Sequence, residues 1–306
     1  MGGFDSCLMS NDRMRQGIWC RSGPFLISAV QAYIAKTVKK VACKPESDVK
    51  TDDVTERVKK LSLSQKGKIV VITGCPDYTV TRHKSVLDVR PYLVCCVLEG
   101  VSLAGDNFKK FLAAQTKLHA SELGGNRETC AVGTHKMGNF TLPLTYLALN
   151  KDDLHIKALN KKSVVSATEL LNSMFRDAEL ARKAKKRSHI DPLYRYLHLV
   201  KIQEEMACLM DAENTVISLP PITNSDSTKL TLETTSVWVE VSSSKSLSAC
   251  KQAMDWLIME TLQFMPELAV KQVRVVDTDN LISVYPDEND LPELTQYRSR
   301  YDQSEC

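Results

Sequence analysis

The 306-residue sequence lacks any run of the roughly 18 consecutive apolar residues that a membrane-spanning helix needs. Its first residues, MGGFDSCLMSNDRMRQ, also lack the apolar centre of a secretory signal, so a cytoplasmic chain is expected. The ten cysteines include no CxxC pair, and Cys95, Cys96, Cys130, Cys208 and Cys250 fall in apolar segments, where a thiol behaves as a small hydrophobe. Reduced thiols are expected, with neither a disulfide framework nor a zinc site. The six histidines show no HExxH or Cys/His spacing, and no GxSxG nucleophile motif is present. The expectation is therefore no metal, no cofactor and no nucleophilic triad.

What is present can build a sizeable core: 43% of the residues are hydrophobic. The net charge of +3 is unevenly spread. Lys151 to Lys201 carries twelve Lys and Arg against six Asp and Glu, whereas Asp277 to Cys306 carries two against eight. A basic middle and an acidic end result.

Pro24 to Val41 places Leu26, Val30, Tyr33, Ile34, Val38 and Val41 on one helical face, which predicts a docking helix in an N-terminal extension over 1–42. Residues 43–67 are charged and almost free of large apolar side chains, the composition of a linker. Beyond it, KIVVITGC and PYLVCCVLEGV read as buried strands, and Asp106 opens a helix with Phe108, Phe111, Leu112, Leu118 and His119 on one side. LPLTYLAL and LHIKAL are expected strands. Ser166–Glu169 has the capping-box pattern, so a helix is expected to start there and run into RKAKKR. CLMDAENTVISLP has the form of a hairpin, SVWVEV is a strand, and Leu247, Cys250, Met254, Leu257, Ile258, Thr261 and Met265 trace another amphipathic helix. VRVVDTDNLISVY is a final hairpin before an acidic tail over 286–306. Strands and helices without regular βαβ alternation predict an α+β domain over 68–285, with its core at 85–265.

The run SLPPITNSDSTK, Ser218 to Lys229, sets two prolines before six consecutive residues with side-chain oxygens. The prolines restrict Leu219 and Pro220 to extended geometry, so the strand is expected to be carried forward stiffly into the turn. Asn224 and Asp226 can form Asx turns; the remaining hydroxyls and Lys229 either face a ligand or brace the turn itself.

The segment from Asp211 to Ile258, DAENTVISLPPITNSDSTKLTLETTSVWVEVSSSKSLSACKQAMDWLI, resembles the B3/B4 domain of the archaeal and eukaryotic phenylalanyl-tRNA synthetase beta subunit. In that domain an S-x-P-P-I-x-N stretch precedes a lysine and a strand. RPYLVCCVLEGV, FLAAQTKLH, VGTHKM and YRYLHLV resemble it in the same order, over roughly residues 85–265. The chain is similar still more closely to leucine-rich repeat-containing relatives outside the synthetases, in which a VRVVD segment follows the domain. Here that segment is Val273 to Asp277. The repeats themselves are missing, so a C-terminal portion or short form is expected. Between the KLH and TH motifs this chain has ASELGGNRETCAVG, keeping Arg127, and Lys136 stands where the family commonly has Asp. A pocket built from that loop is expected to be altered.

The resemblance implies three kinds of function. As a binding module for RNA, tRNA in particular, the chain would use Arg182, Lys183, Lys185, Lys186 and Arg187 on phosphates, with Tyr194 and Tyr196 stacking on unpaired bases. The alternative for these residues is a helix end whose cations complement its dipole, with the tyrosines in the core. As an enzyme it would hydrolyse tyrosine wrongly attached to the phenylalanine tRNA, with Thr134, His135, Asn224, Ser225 and Asp226 lining the pocket. As a scaffold it would bind translation-related proteins. His119 and His135 are otherwise expected to be structural, each donating a ring N–H to a backbone carbonyl.

Overall fold

A computed structural model describes residues 67–183, 192–200, 204–278 and 280–301. The expected N-terminal helix and residues 43–66 of the expected linker lie outside the described residues. Within them, strands β1 (Lys68–Thr73), β2 (Thr79–Arg82) and β3 (Tyr92–Glu99) precede helix α1 (Asn107–Ala120). Strands β4 (Ala131–Lys136), β5 (Leu144–Asn150), β6 (His155–Ile156) and β7 (Val165–Ser166) lead to α2 (Ala167–Lys183). Then come β8 (Glu205–Met210), β9 (Val216–Leu219), β10 (Thr223–Asn224), β11 (Ser236–Ser243) and α3 (Leu247–Leu262). β12 (Ala269–Asp277), β13 (Asn280–Tyr285) and β14 (Thr295–Arg300) complete the order.

Twelve strands join one mixed sheet, and β12 is the reason that it forms two layers. The first half of β12 pairs with β1 and antiparallel with β3, while its second half pairs with β2 and β13. One layer therefore runs β14-β1-β12-β3-β11-β4 and the other β13-β12-β2-β5-β8-β9-β10. The alternation of side chains along β3 divides its apolar run between two cores. Val94, Cys96 and Leu98 pack under α1 and α3, whereas Leu93, Cys95 and Val97 meet Leu144, Tyr146 and Leu209 between the sheets. A third core packs Leu170, Leu171 and Met174 of α2 on the outer face of the second layer. The result is an α+β fold of four layers, helix, sheet, sheet, helix.

Local chemistry sets the helix starts. The Glu169 amide donates to Ser166 Oγ at 3.1 Å and the Ser166 amide to Glu169 Oε2 at 3.2 Å, the reciprocal pair of a capping box. Ser246 accepts from the Ala249 amide at 3.1 Å and starts α3. The apolar face of α3 is buried as its spacing predicts. In α1 the buried side is Phe111, Ala114, Leu118 and His119, and Leu112 is exposed, so the face is rotated toward the small Ala114. The expected acidic tail is corrected over Thr295–Arg300, which forms β14 in parallel with all of β1. A strand with side chains this polar pairs through its backbone, which composition does not report.

Near that C-terminal segment, Tyr285 Oη donates to Asp255 Oδ1 at 2.7 Å. Burial pushes the Asp255 carboxyl up to about 6, with the Asp290 carboxylate adding to it, against the opposing Tyr285 bond and Lys251. The folded state thus holds this proton more tightly than the unfolded chain, whose ordinary carboxyl value is 3.8. The stabilisation is complete below about pH 4 and is lost as the pH rises through about 6. We expect Asp255→Asn to remove up to about 3 kcal/mol of that pH dependence, less whatever solvent screens. Urea unfolding of both chains at about pH 4 and about pH 7 measures it, and parallel pH profiles would refute the assignment.

Candidate functional site

β11 alternates between two environments. Val237, Val239 and Val241 face the helices, while Trp238, Glu240 and Ser242 face the interior between the sheets. Glu240 is 1% exposed and lies between the two sheets. Its register partners are Cys95 on β3 and Gly133 on β4. Gly133 is required for close approach: a Cβ there would lie 2.8 Å from Glu240 Cγ and 2.9 Å from Cδ.

Three elements aim polar groups at this carboxylate. Ser218 on β9 donates to Glu240 Oε1 at 2.5 Å. His135 on β4, fully buried, places Nε2 3.8 Å from the same oxygen and Nδ1 2.8 Å from Thr228 Oγ1. Thr228 in turn reaches the Ser225 carbonyl at 3.4 Å. If that hydroxyl gives its proton to Ser225, it accepts from His135 Nδ1–H, and Nε2 is then the acceptor nitrogen. His135 Nε2 and Glu240 Oε2 are buried without a hydrogen-bond partner among the described residues. Polar atoms buried without partners beside a carboxylate cost stability, which marks this cluster as the candidate site. The unpartnered Glu240 Oε2 and His135 Nε2 are acceptors suited to a hydroxyl that donates to either, while Ser218 spends its own proton on Glu240 Oε1. The aromatic wall is Trp238, with Phe140 packed edge-on to both Trp238 and His135.

The oxygens of Thr223 to Thr228 are spent largely on their own turn. Ser225 Oγ accepts from the Ser227 amide, contacts Ser227 Oγ at 2.8 Å and donates to the Lys157 carbonyl at 3.2 Å. Asp226 Oδ1 accepts from the Asn160 amide and from Lys229 Nζ, both at 3.1 Å, and Oδ2 lies 3.5 Å from Lys157 Nζ. The Lys229 bond, the Asn160 amide and Lys157 hold the Asp226 carboxyl below its ordinary value. Asn224 Nδ2 donates to the Thr134 carbonyl at 3.2 Å. The chain also turns back at the prolines rather than continuing forward. The Ile222 amide bonds the Leu219 carbonyl at 2.8 Å, and β10 lies antiparallel to β9. Of the five expected pocket residues, His135 is in the interior cluster. Asn224, Ser225 and Asp226 form the turn that roofs it, and Thr134 belongs to the opposite face of β4, where its carbonyl anchors Asn224.

The loop before β4 departs from extended backbone at three consecutive residues, Gly125, Asn126 and Arg127, with φ of 51°, 53° and 63°. The left-handed region costs an arginine roughly 1 kcal/mol, and its contacts compensate. Arg127 Nη1 donates to the Pro221 and Ile222 carbonyls at 2.9 and 3.2 Å, and the guanidinium lies 4.9 Å from the Tyr196 ring centroid. Tyr196, expected to stack on RNA, is half-buried under that arginine. Arg182 and Lys183 are exposed in the last turn of α2. Lys185, Lys186, Arg187 and the Tyr194 side chain lie outside the described residues. His119 is structural but in the opposite sense to expectation. Its Nε2 accepts from the Val132 amide at 2.9 Å, and burial, aided by Arg127 and Arg90, holds its pKa down to about 3. A ring kept neutral can accept.

Sequence reasoning missed Glu240, Ser218 and Gly133. One signal was available: SVWVEV carries a single carboxylate at a position where the strand's own alternation buries it. Among the described residues, no group of three or more His, Cys, Asp or Glu side chains is arranged to hold a metal ion. None of their helices is long and apolar enough to cross a membrane.

A two-sheet α+β domain with a polar cluster buried between its sheets is thus the class that the fold and site define. The chain is homologous to a segment of the phenylalanine–tRNA ligase beta subunit, corresponding to its B3/B4 region. It is 31% identical over 163 residues to the subunit of Schizosaccharomyces pombe, covering 53% of this chain and 25% of the relative. It is 28% identical over 200 residues to that of Mus musculus, covering 65% and 31%. An N-terminal fragment of the phenylalanyl-tRNA synthetase beta subunit from Pyrococcus horikoshii superposes with a TM-score of 0.61 at 27% identity, over 74% of this chain and 60% of that one. The matched region spans between a quarter and a third of the length of these two curated relatives. No family model matches the chain.

Proposed function

We propose that the chain is an RNA-binding module of the translation apparatus that takes tRNA or a tRNA-like fold, binding rather than charging it, in the cytoplasm. One observation carries the reading. Five lysines surround the turn that roofs the buried cluster: Lys157 and Lys229 pair with Asp226, Lys136 reaches Thr231 Oγ1, and Lys161 and Lys162 directly follow Asn160, whose amide Asp226 holds. Asp226 and Glu233 are the carboxylates among them, so the rim stays net positive and suits a phosphate backbone. The basic run from Arg182 to Arg187 extends the reading to the end of α2. The likeness to leucine-rich repeat-containing protein 47, carried by VRVVD at Val273–Asp277 and by RKAKKR, favours translation-related protein partners as well.

Two glutamine sets test this. Exchange of Lys157, Lys161 and Lys162, or of Lys183, Lys185, Lys186 and Arg187, should weaken tRNA binding and reduce its log–log salt slope by about one for each lost contact. The set that lowers the slope identifies the RNA face. Unchanged affinity for both sets at every salt concentration would refute the module.

A second reading, favoured by the unpartnered His135 and Glu240 atoms, is that the module deacylates mischarged tRNA. A buried carboxylate that bonds a hydroxyl separates a tyrosyl from a phenylalanyl ester, since the smaller group leaves the site's polar atoms unpaired.

A further inference from the structure

Arg90 is a buried cation that neither reading uses. It precedes β3, is 5% exposed, and donates through Nε to Ser242 Oγ at 2.9 Å and through Nη2 to the Ser242 and Arg127 carbonyls at 2.8 and 3.4 Å. Among the described residues no carboxylate lies within 4.0 Å of it, and Nη1 has no partner. Dipoles make all of its direct contacts, and the Glu240 carboxylate supports it only from beyond ion-pair distance, against a burial that disfavours the charge. Arginine does not escape by losing its proton at physiological pH. A directly paired counter-charge is what the site is short of.

Arg90 lines a half-open pocket of about 70 Å³, walled by Val89, Ala207 and Pro221, with Ser244 and Glu128 beside it. Glu128 pairs with Lys245 Nζ at 3.4 Å, so its charge is partly compensated away from the guanidinium. The volume exceeds two waters' shares of roughly 30 Å³ each, enough for a compact oxyanion. The pocket lies by the Pro220–Pro221 corner, at the opposite end of β9 from the lysine-ringed turn, which flanks Ile217.

We propose that this pocket is an oxyanion site that takes a phosphate group, with Arg90 Nη1 as the charged donor and the Ser244 hydroxyl as the second, turning to the anion from its long 3.4 Å bond to the Glu128 carbonyl. The phosphate is either a monoester on a small molecule or a diester in a nucleic acid strand. The proposal stands without the tRNA reading, because it rests on Arg90 and the pocket alone.

The test follows the amides of Arg90, Glu128 and Ser244 by NMR in the whole ¹⁵N-labelled chain. Inorganic phosphate, adenosine monophosphate and a trinucleotide RNA are titrated separately, with ionic strength held constant by chloride. Phosphate should shift these amides at saturable concentration, and Arg90→Gln should weaken its binding by about tenfold or more, as expected for loss of a charge-assisted bond. Glu128→Gln removes an exposed carboxylate and leaves the fold intact, so it keeps the test open if Arg90→Gln unfolds; it should tighten binding several-fold. Binding by the monophosphate alone assigns a small-molecule phosphate, and tighter binding by the trinucleotide assigns a strand. The proposal is overturned if none of the three probes moves the pocket amides. It is equally overturned if a folded Arg90→Gln, or Glu128→Gln, binds phosphate as the unaltered chain does.

Discussion

Gly133→Ala should destabilise the domain by about 3 to 5 kcal/mol, a large share of the total for a chain of this kind. The added Cβ meets Glu240 Cγ at 2.8 Å and Cδ at 2.9 Å, below any normal carbon contact, and neither partner can yield easily. Gly133 is fixed in β4 by pairing with β11, and Glu240 is enclosed between two sheets. Overpacking of this sort costs about 1–3 kcal/mol. Displacing the carboxylate from Ser218 adds about 1.5–3 kcal/mol for a charge-assisted hydrogen bond. Urea unfolding gives the total, and a double-mutant cycle with Glu240→Ala gives its cause. If close approach is the reason for glycine, the pair should couple favourably by at least about 1 kcal/mol, because shortening residue 240 makes room for the new methyl. Additive losses would place the strain elsewhere.

The same two residues show what could be read from the chain alone. Most strands were legible because their apolar runs are short and bounded by Gly and Pro, and the α2 start because Ser166 and Glu169 stand at capping-box spacing, whereas β2 and β4 were not read as strands and the expected strand LHIKAL forms only the two-residue β6. The buried face of α3 followed from period alone. Two-layer closure was not legible. It depends on β12 pairing with β1 and β3 through one half and with β2 and β13 through the other, a property of backbone position that no side chain encodes. β14 escaped for a related reason, since TQYRSR has no buried face to announce it. In the site, hydroxyl density drew attention to Thr223–Thr228, but density marks where a turn satisfies itself as readily as where it faces a ligand. The informative signal was sparser: one Glu among valines on a central strand. His135 was legible as a motif residue, whereas its partners come from positions 218, 228 and 240, which only the fold brings together.

Glu240→Gln decides between the two functional readings. Should the module deacylate tRNA, it will hydrolyse tyrosyl-tRNA made on the phenylalanine tRNA faster than the phenylalanyl ester. Only the tyrosyl group brings a hydroxyl to Glu240 and His135. Gln keeps the size of the side chain and an acceptor oxygen for Ser218, but loses the charge. The substitution should slow tyrosyl ester hydrolysis about a hundredfold, comparable to losing one preorganised polar contact in a water-excluded site, and leave the slow phenylalanyl reaction nearly unchanged. Asp226→Ala serves as the contrast. Its carboxylate holds Asn160, Lys157 and Lys229 in the turn, so its loss should loosen the roof and weaken tRNA binding without altering the preference for tyrosyl over phenylalanyl ester. A chain that binds tRNA, hydrolyses neither ester and is indifferent to Glu240→Gln would keep the RNA module and eliminate the hydrolase. The carboxylate would then be a structural polar contact between the sheets, held in place by Ser218 and by the glycine that makes room for it.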